Sequence, residues 1–158
     1  MKLALTSLAF AANEKIPLRY TTEGDDVSPP LAWGDPPAGT QEFALVCDDP
    51  DAPGAEPWVH WVIYGLAAAL RALPEGVPAS PEATKPVACH QGKNSWGKIG
   101  YGGPYPPKGS GPHHYRFTLY ALGKPAPAEP GLDKAALLAA IKGSTLAQGT
   151  LTGLFERK

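Results

Sequence analysis

The segment Glu42-Phe43-Ala44-Leu45-Val46-Cys47 is a nearly unbroken apolar run, and its length and flanks predict a strand buried on both faces. Trp58-Val59-His60-Trp61-Val62-Ile63-Tyr64 is β-branched and aromatic throughout, which predicts a second central strand. Strict alternation there would put His60 on one face with Trp58, Val62 and Tyr64, and Trp61 on the other. From His114 to Leu122 the period is two: Tyr115, Phe117, Leu119 and Ala121 share one face, and His114, Arg116, Thr118 and Tyr120 the other. Gln148 to Phe155 reads as a last strand. Leu3, Leu5 and Ser7 alternate as in a strand near the start.

Helical period is scarce. Lys134 to Lys142 is the one well-signalled helix, with Asp133 as its cap, Leu132 and Leu137 at staple spacing, and Gly143 closing it. Leu66 to Ala72 suits a short helical turn, stopped by Pro74 and Gly76. The rest is punctuated by turn formers. Ile16 to Thr40 is turn-rich, Asp48 to Pro57 is a Pro/Asp loop, and the long stretch up to Gly111 has little periodicity, which points to a functional loop.

Composition supports a folded chain of this kind. Apolar residues make up 43% of 158, while 18 glycines and 19 prolines spread among them imply many turns and ordered loops. The length suits a single domain, residues 1–158, with a real core. A net charge of −1 supplies no field to draw nucleic acid or an anionic membrane, so any anion site must be local. No stretch approaches a membrane span. Residues 1–12 resemble a weak secretory leader, but Thr6 and Ser7 break its apolar run. Read as the first strand instead, the segment leaves the chain expected in the cytoplasm. Cys47 and Cys89 fit no metal or redox spacing; Cys47 reads as a buried small hydrophobe, and a disulfide between them stays open.

Three stretches concentrate polar groups that folding does not require. Asp48-Asp49-Pro50-Asp51-Ala52-Pro53 crowds three carboxylates at the end of a buried strand, although Asp and Pro are ordinary turn residues. His60 sits among aromatics, where a histidine is more often a satisfied core residue than a ligand. Gly102 to Tyr115 combines glycines that let backbone approach a ligand with prolines that stiffen the loop.

Taken together, Asp-Pro-Asp-Ala-Pro, a Trp-x-His strand and Pro-Pro-Lys-Gly-Ser-Gly-x-His-x-Tyr resemble the signature of the phosphatidylethanolamine-binding family, which includes Raf kinase inhibitory protein. Ser28 to Trp33 and Leu5 to Phe10 match segments of its bacterial branch. The resemblance implies a mainly β fold: an antiparallel sandwich of a large and a smaller sheet with one or two peripheral helices. It also implies a pocket for phosphate-like anions or phospholipid head groups, built from Asp49, Asp51, Ala52, His60, Pro106, Pro107, His113 and Tyr115. In that pocket a carboxylate beside a histidine would favour imidazolium, a charged donor to an anion. No cofactor or metal is expected, and the partners implied are such an anion, a kinase or protease, and a second copy in a homodimer.

Two departures stand out. The family's His-Arg-Tyr is His113-His114-Tyr115 here, which removes an arginine that would anchor Asp51 and leaves Arg116 as its candidate substitute. Tyr105 stands where some members have glycine, at the expected pocket mouth. A binding or regulatory role is the leading reading. The alternative is a hydrolase using Asp49, His60 and His113 as acid–base groups or as metal ligands, with Ser110 reading as a plain loop hydroxyl.

Overall fold

A computed structural model describes residues 2–158. The expected sandwich forms. Strands β1 (Leu5–Thr6), β2 (Leu31–Trp33) and β5 (Ala72–Leu73) make a small sheet in the order β1-β2-β5. Strands β3 (Glu42–Asp49), β4 (Trp58–Ala67), β6 (Glu82–Ala83), β7 (Cys89–Gln91), β8 (His113–Leu122) and β9 (Thr145–Phe155) make a large one in the order β6-β7-β4-β3-β8-β9. Every pairing between them is antiparallel. Among the described residues no helix is long and apolar enough to cross a membrane.

The large sheet is covered on both sides, which is why β3 lacks alternation. One face packs on the small sheet: Leu5, Leu31, Trp33 and Leu73 meet Phe43, Leu45, Trp61, Ile63, Phe117 and Leu119 in one core. The other face, with Ala44, Val46, Val62 and Tyr64, is covered by Leu137 and Ile141 of helix α1 (Lys134–Ile141). That helix starts where Asp133 Oδ1 accepts the Ala136 N–H at 2.8 Å, and Gly143 follows it at φ +86°, as its flanking residues predict. Cys47 and Cys89 are free, buried thiols in the main core; burial pushes both up, Cys47 well up.

Two expectations need correction. Residues 66–72 are a strand end and one tight turn, not a helical segment: β4 continues to Ala67, with a bulge at Gly65, φ +72°, and the Leu70 N–H closes a turn on the Ala67 carbonyl. Asp48 and Asp49 are not loop residues either; β3 runs through both. The reason is chemical. Strand alternation sends the two carboxylates to opposite faces, and each meets its own cation or histidine, so their mutual repulsion never has to be relieved by a turn.

Asp48 lies on the helix-covered face, nearly buried, with Arg116 Nε and Nη2 at 2.9 and 3.0 Å and Lys134 Nζ at 2.6 Å. Burial opposes its charge, but the bonds from Arg116 and Lys134 prevail and hold its carboxyl below the ordinary 3.8. A depressed carboxyl contributes stability above its unfolded value and loses it as pH falls through the folded one. Thermal melting is therefore expected to fall below about pH 4. Asp48→Asn should melt lower at neutral pH and show a shallower acid decline; parallel acid limbs in the two proteins would contradict this.

Candidate functional site

Three elements converge at one end of the large sheet: the end of β3, the start of β4 and the start of β8. Between them and the 102–112 loop lies a cleft of about 220 Å³. Asp49, Ala52, His60, Pro106, Pro107, His113 and Tyr115 line it, as do Pro53, Trp58, Trp96 and Tyr105. Of the eight residues singled out in the sequence, Asp51 alone is absent from the lining; its carboxylate is paired with His114 instead.

The buried side of the cleft is a hydrogen-bonded string. Asp49, 2% exposed, accepts the Asp51 N–H at 2.8 Å through Oδ1 and meets His113 Nδ1 at 2.6 Å through Oδ2. His113 Nε2 lies 3.1 Å from Ser110 Oγ, and Ser110 in turn donates to the Pro107 carbonyl at 2.8 Å. The string ties the Pro-Pro-Lys-Gly-Ser loop to the sheet. Ser110 thus has a fixed place beside the cleft that its Gly-flanked sequence did not signal.

His60 is placed differently from the alternation reading. On β3 the step from Cys47 to Asp48 is one residue, while their partners Trp61 and Val59 are two apart, so His60 is the extra residue of a bulge. The bulge lets His60 and Trp61 escape strict alternation, leaving Val62 and Tyr64 under the helix while His60 stands against Tyr115 and Trp96. Its ring meets theirs edge-on, with centroids 5.1 and 5.2 Å away. His60 Nδ1 lies 2.7 Å from the Gly102 carbonyl, and the Gly102 N–H returns a bond to the His60 carbonyl at 2.9 Å. A carbonyl accepts only, so Nδ1 carries the proton. Burial lowers the imidazole's pKa, with the Gly102 bond and Asp49 charge opposing. His60 is therefore a neutral ring, and the histidine that sits on a carboxylate is His113.

Tyr115 is 1% exposed, and its hydroxyl makes no well-formed hydrogen bond, although the Asp49 carboxylate acts on it from nearby. Burial, then the charge of Asp49, pushes its phenol far up, so it stays a neutral O–H. Among the described residues only one other buried side-chain polar atom, His90 Nδ1, lacks a hydrogen-bond partner.

The rim answers both departures. His114 replaces the family arginine and does the anchoring itself: its N–H and Nδ1 both reach Asp51 Oδ2 at 2.7 Å. Arg116 does not substitute, because Asp48 holds it. Tyr105 is 54% exposed at the mouth, with the Arg157 guanidinium 4.1 Å over its ring. Arg157 Nε also donates to the Pro106 carbonyl at 2.6 Å, so the last strand's exit braces the loop. Trp58 and Trp96, edge to face at 5.4 Å, complete an aromatic rim. Trp58 is legible from its place two residues before His60; Trp96 gives no signal in its irregular segment. Gly102 and Gly103 serve packing: a Cβ would sit 2.6 Å from Trp96 at the first and 2.4 Å from the Tyr20 carbonyl oxygen at the second.

Known proteins share this arrangement of chain. The UPF0098 protein of Methanothermobacter thermautotrophicus is 42% identical over 97% of this chain and 98% of its own. LppC of Mycobacterium tuberculosis, named as a lipoprotein, is 40% identical over 98% of this chain and 72% of its own. The crystal structure of E. coli YbcL, described as a member of the mammalian PEBP family, superposes with a TM-score of 0.91 at 30% identity over all of both chains. With the phosphatidylethanolamine-binding protein model matching residues 6–156, the motifs that line the cleft and the sandwich that carries them have one source: the chain belongs to the phosphatidylethanolamine-binding protein family.

Proposed function

We propose that the cleft binds a phosphate-like anion, either a phospholipid head group or a phosphorylated small molecule, and that the protein acts as a binding or regulatory module. The observation that carries this reading is the Tyr115 hydroxyl. It is buried in the wall of the cleft and has no well-formed hydrogen-bond partner, with only the Asp49 carboxylate acting on it from nearby. Leaving such a group unpaired costs about 1–3 kcal/mol, and an anion oxygen in the cleft removes that cost. His113 lies beside it, ring centroids 6.5 Å apart, and supplies a second donor when Nε2 turns from Ser110 to the ligand. Asp49 opposes the anion's charge, so a head group alone binds weakly and the rest of the ligand must add contacts at the aromatic rim.

Hydrolysis has less support. Asp49, His113 and Ser110 do form a carboxylate–imidazole–hydroxyl string, but Ser110 donates its proton to the Pro107 carbonyl, and Ser110 is outside the cleft lining. The geometry suits a brace for the loop better than a nucleophile awaiting a base.

A phosphate titration followed by backbone and ring NMR tests the binding reading. Shifts should cluster on Asp49, His60, His113 and Tyr115. His113→Ala should weaken binding about tenfold, by loss of a charge-assisted donor, while the protein stays folded. No shift at these residues up to tens of millimolar would refute the reading.

A further inference from the structure

The hydrogen-bond inventory of the cleft is mixed. Tyr115 offers a donor. His60 offers an acceptor, because Nδ1–H is held by the Gly102 carbonyl and leaves Nε2 as a bare lone pair. Nε2 makes no hydrogen bond within the protein, and the His60 ring lines the cleft. No lysine or arginine lines that cleft. A fully deprotonated anion finds donors at Tyr115 and, once it leaves Ser110, at His113 Nε2, but meets a lone pair at His60 and a carboxylate at Asp49. A ligand carrying its own proton satisfies both sides.

We propose that the cleft selects a small phosphate monoester in its singly protonated form, accepting the P–OH proton at His60 Nε2 while Tyr115 donates to an unprotonated oxygen. The inference rests on the anion reading above and narrows it. A phosphodiester has no such proton, so it cannot satisfy His60. A monoester has one only below its second pKa, about 6.

The groups that could imitate this pH dependence are known. Asp49 on β3 faces His60, with Asp48 acting at longer range. His113 and Tyr115 approach from β8, and Trp96 and the Gly102 carbonyl from the loop contribute no charge. Titration of His113 or Asp49 would alter binding of any anion. It would not alter the ratio between two anions of equal charge that differ in one proton.

The experiment compares phenyl phosphate with methyl phenyl phosphate by NMR titration of the whole protein at pH 5 and pH 8. At pH 5 both are largely monoanions, and the monoester is expected to bind about tenfold more tightly, the worth of one hydrogen bond of roughly 1.4 kcal/mol. At pH 8 the monoester is a dianion without the proton, and the preference should vanish. In His60→Phe the pH 5 preference should vanish as well. Should that variant fail to fold, ring ¹⁵N shifts of the wild-type protein decide: His60 must appear as the neutral Nδ1–H form from pH 5 to 8. A diester that binds as tightly as the monoester at pH 5, or an Nε2–H tautomer, overturns the proton selection while leaving the anion cleft standing. Failure of both esters and of inorganic phosphate to shift any cleft residue removes the anion reading itself, and this inference with it.

Discussion

Trp61→Ala is expected to lower the unfolding free energy by about 3–5 kcal/mol, the range for deleting a large aromatic from a packed core. Two features place it toward the upper end. The indole is completely buried between the sheets, edge-on to Tyr101 at 5.6 Å. Its Nε1–H also donates to Gln91 Oε1 at 2.8 Å. Gln91 is itself fully buried and uses its amide nitrogen to hold the Pro78 and Ser80 carbonyls at 2.6 and 2.9 Å. Truncation therefore opens a cavity and strands an acceptor that organises the 78–80 loop. Trp61→Phe keeps most of the volume and should recover well over half of the loss. Chemical denaturation of the three proteins checks this. A melting curve for the alanine variant that overlays wild type would mean that the indole does not fill this core.

Trp61 also shows where sequence patterning succeeds and where it stops. The apolar runs of β3 and β4, the alternation of β8 and the capped helix are local properties, so they are visible without the fold. His60 and Trp61 share a side only because β4 carries one more residue than β3 across a single step. That mismatch belongs to the pairing of two strands, and nothing in Trp58 to Tyr64 alone encodes it. The same holds for the three neighbouring aspartates. Read locally they form a repelling cluster in a turn; in the fold they part toward Arg116 and Lys134, toward His113, and toward His114. The contact of Ser110 with His113 and the place of Trp96 at the rim were hidden for a related reason. A Gly-flanked serine and a loop tryptophan acquire positions only when distant segments close around them. The cleft's main residues were legible through motif resemblance, because the motif already records which distant segments meet.

Asp49→Ala should destabilise the protein by about 3–5 kcal/mol, the usual consequence of removing one member of a buried ion pair. The carboxylate and the imidazole are 3% and 5% exposed, 2.6 Å apart, so water cannot readily take the place of either. The deletion also leaves the Asp51 N–H without its acceptor and frees the near end of the string that holds Ser110 and the Pro107 carbonyl. Asp49→Asn should behave differently. Its amide oxygen still accepts from Asp51, and its NH₂ can donate to His113 Nδ1 once that nitrogen gives up its proton, while Nε2–H stays on Ser110 Oγ. The asparagine variant should therefore retain most of the stability lost in alanine, and the ring nitrogens of His113 should report the neutral Nε2–H form. Equal stability of the two variants would contradict this account. The hydrogen bonds would then add little to the fold, and the carboxylate would owe its buried place to what enters the cleft.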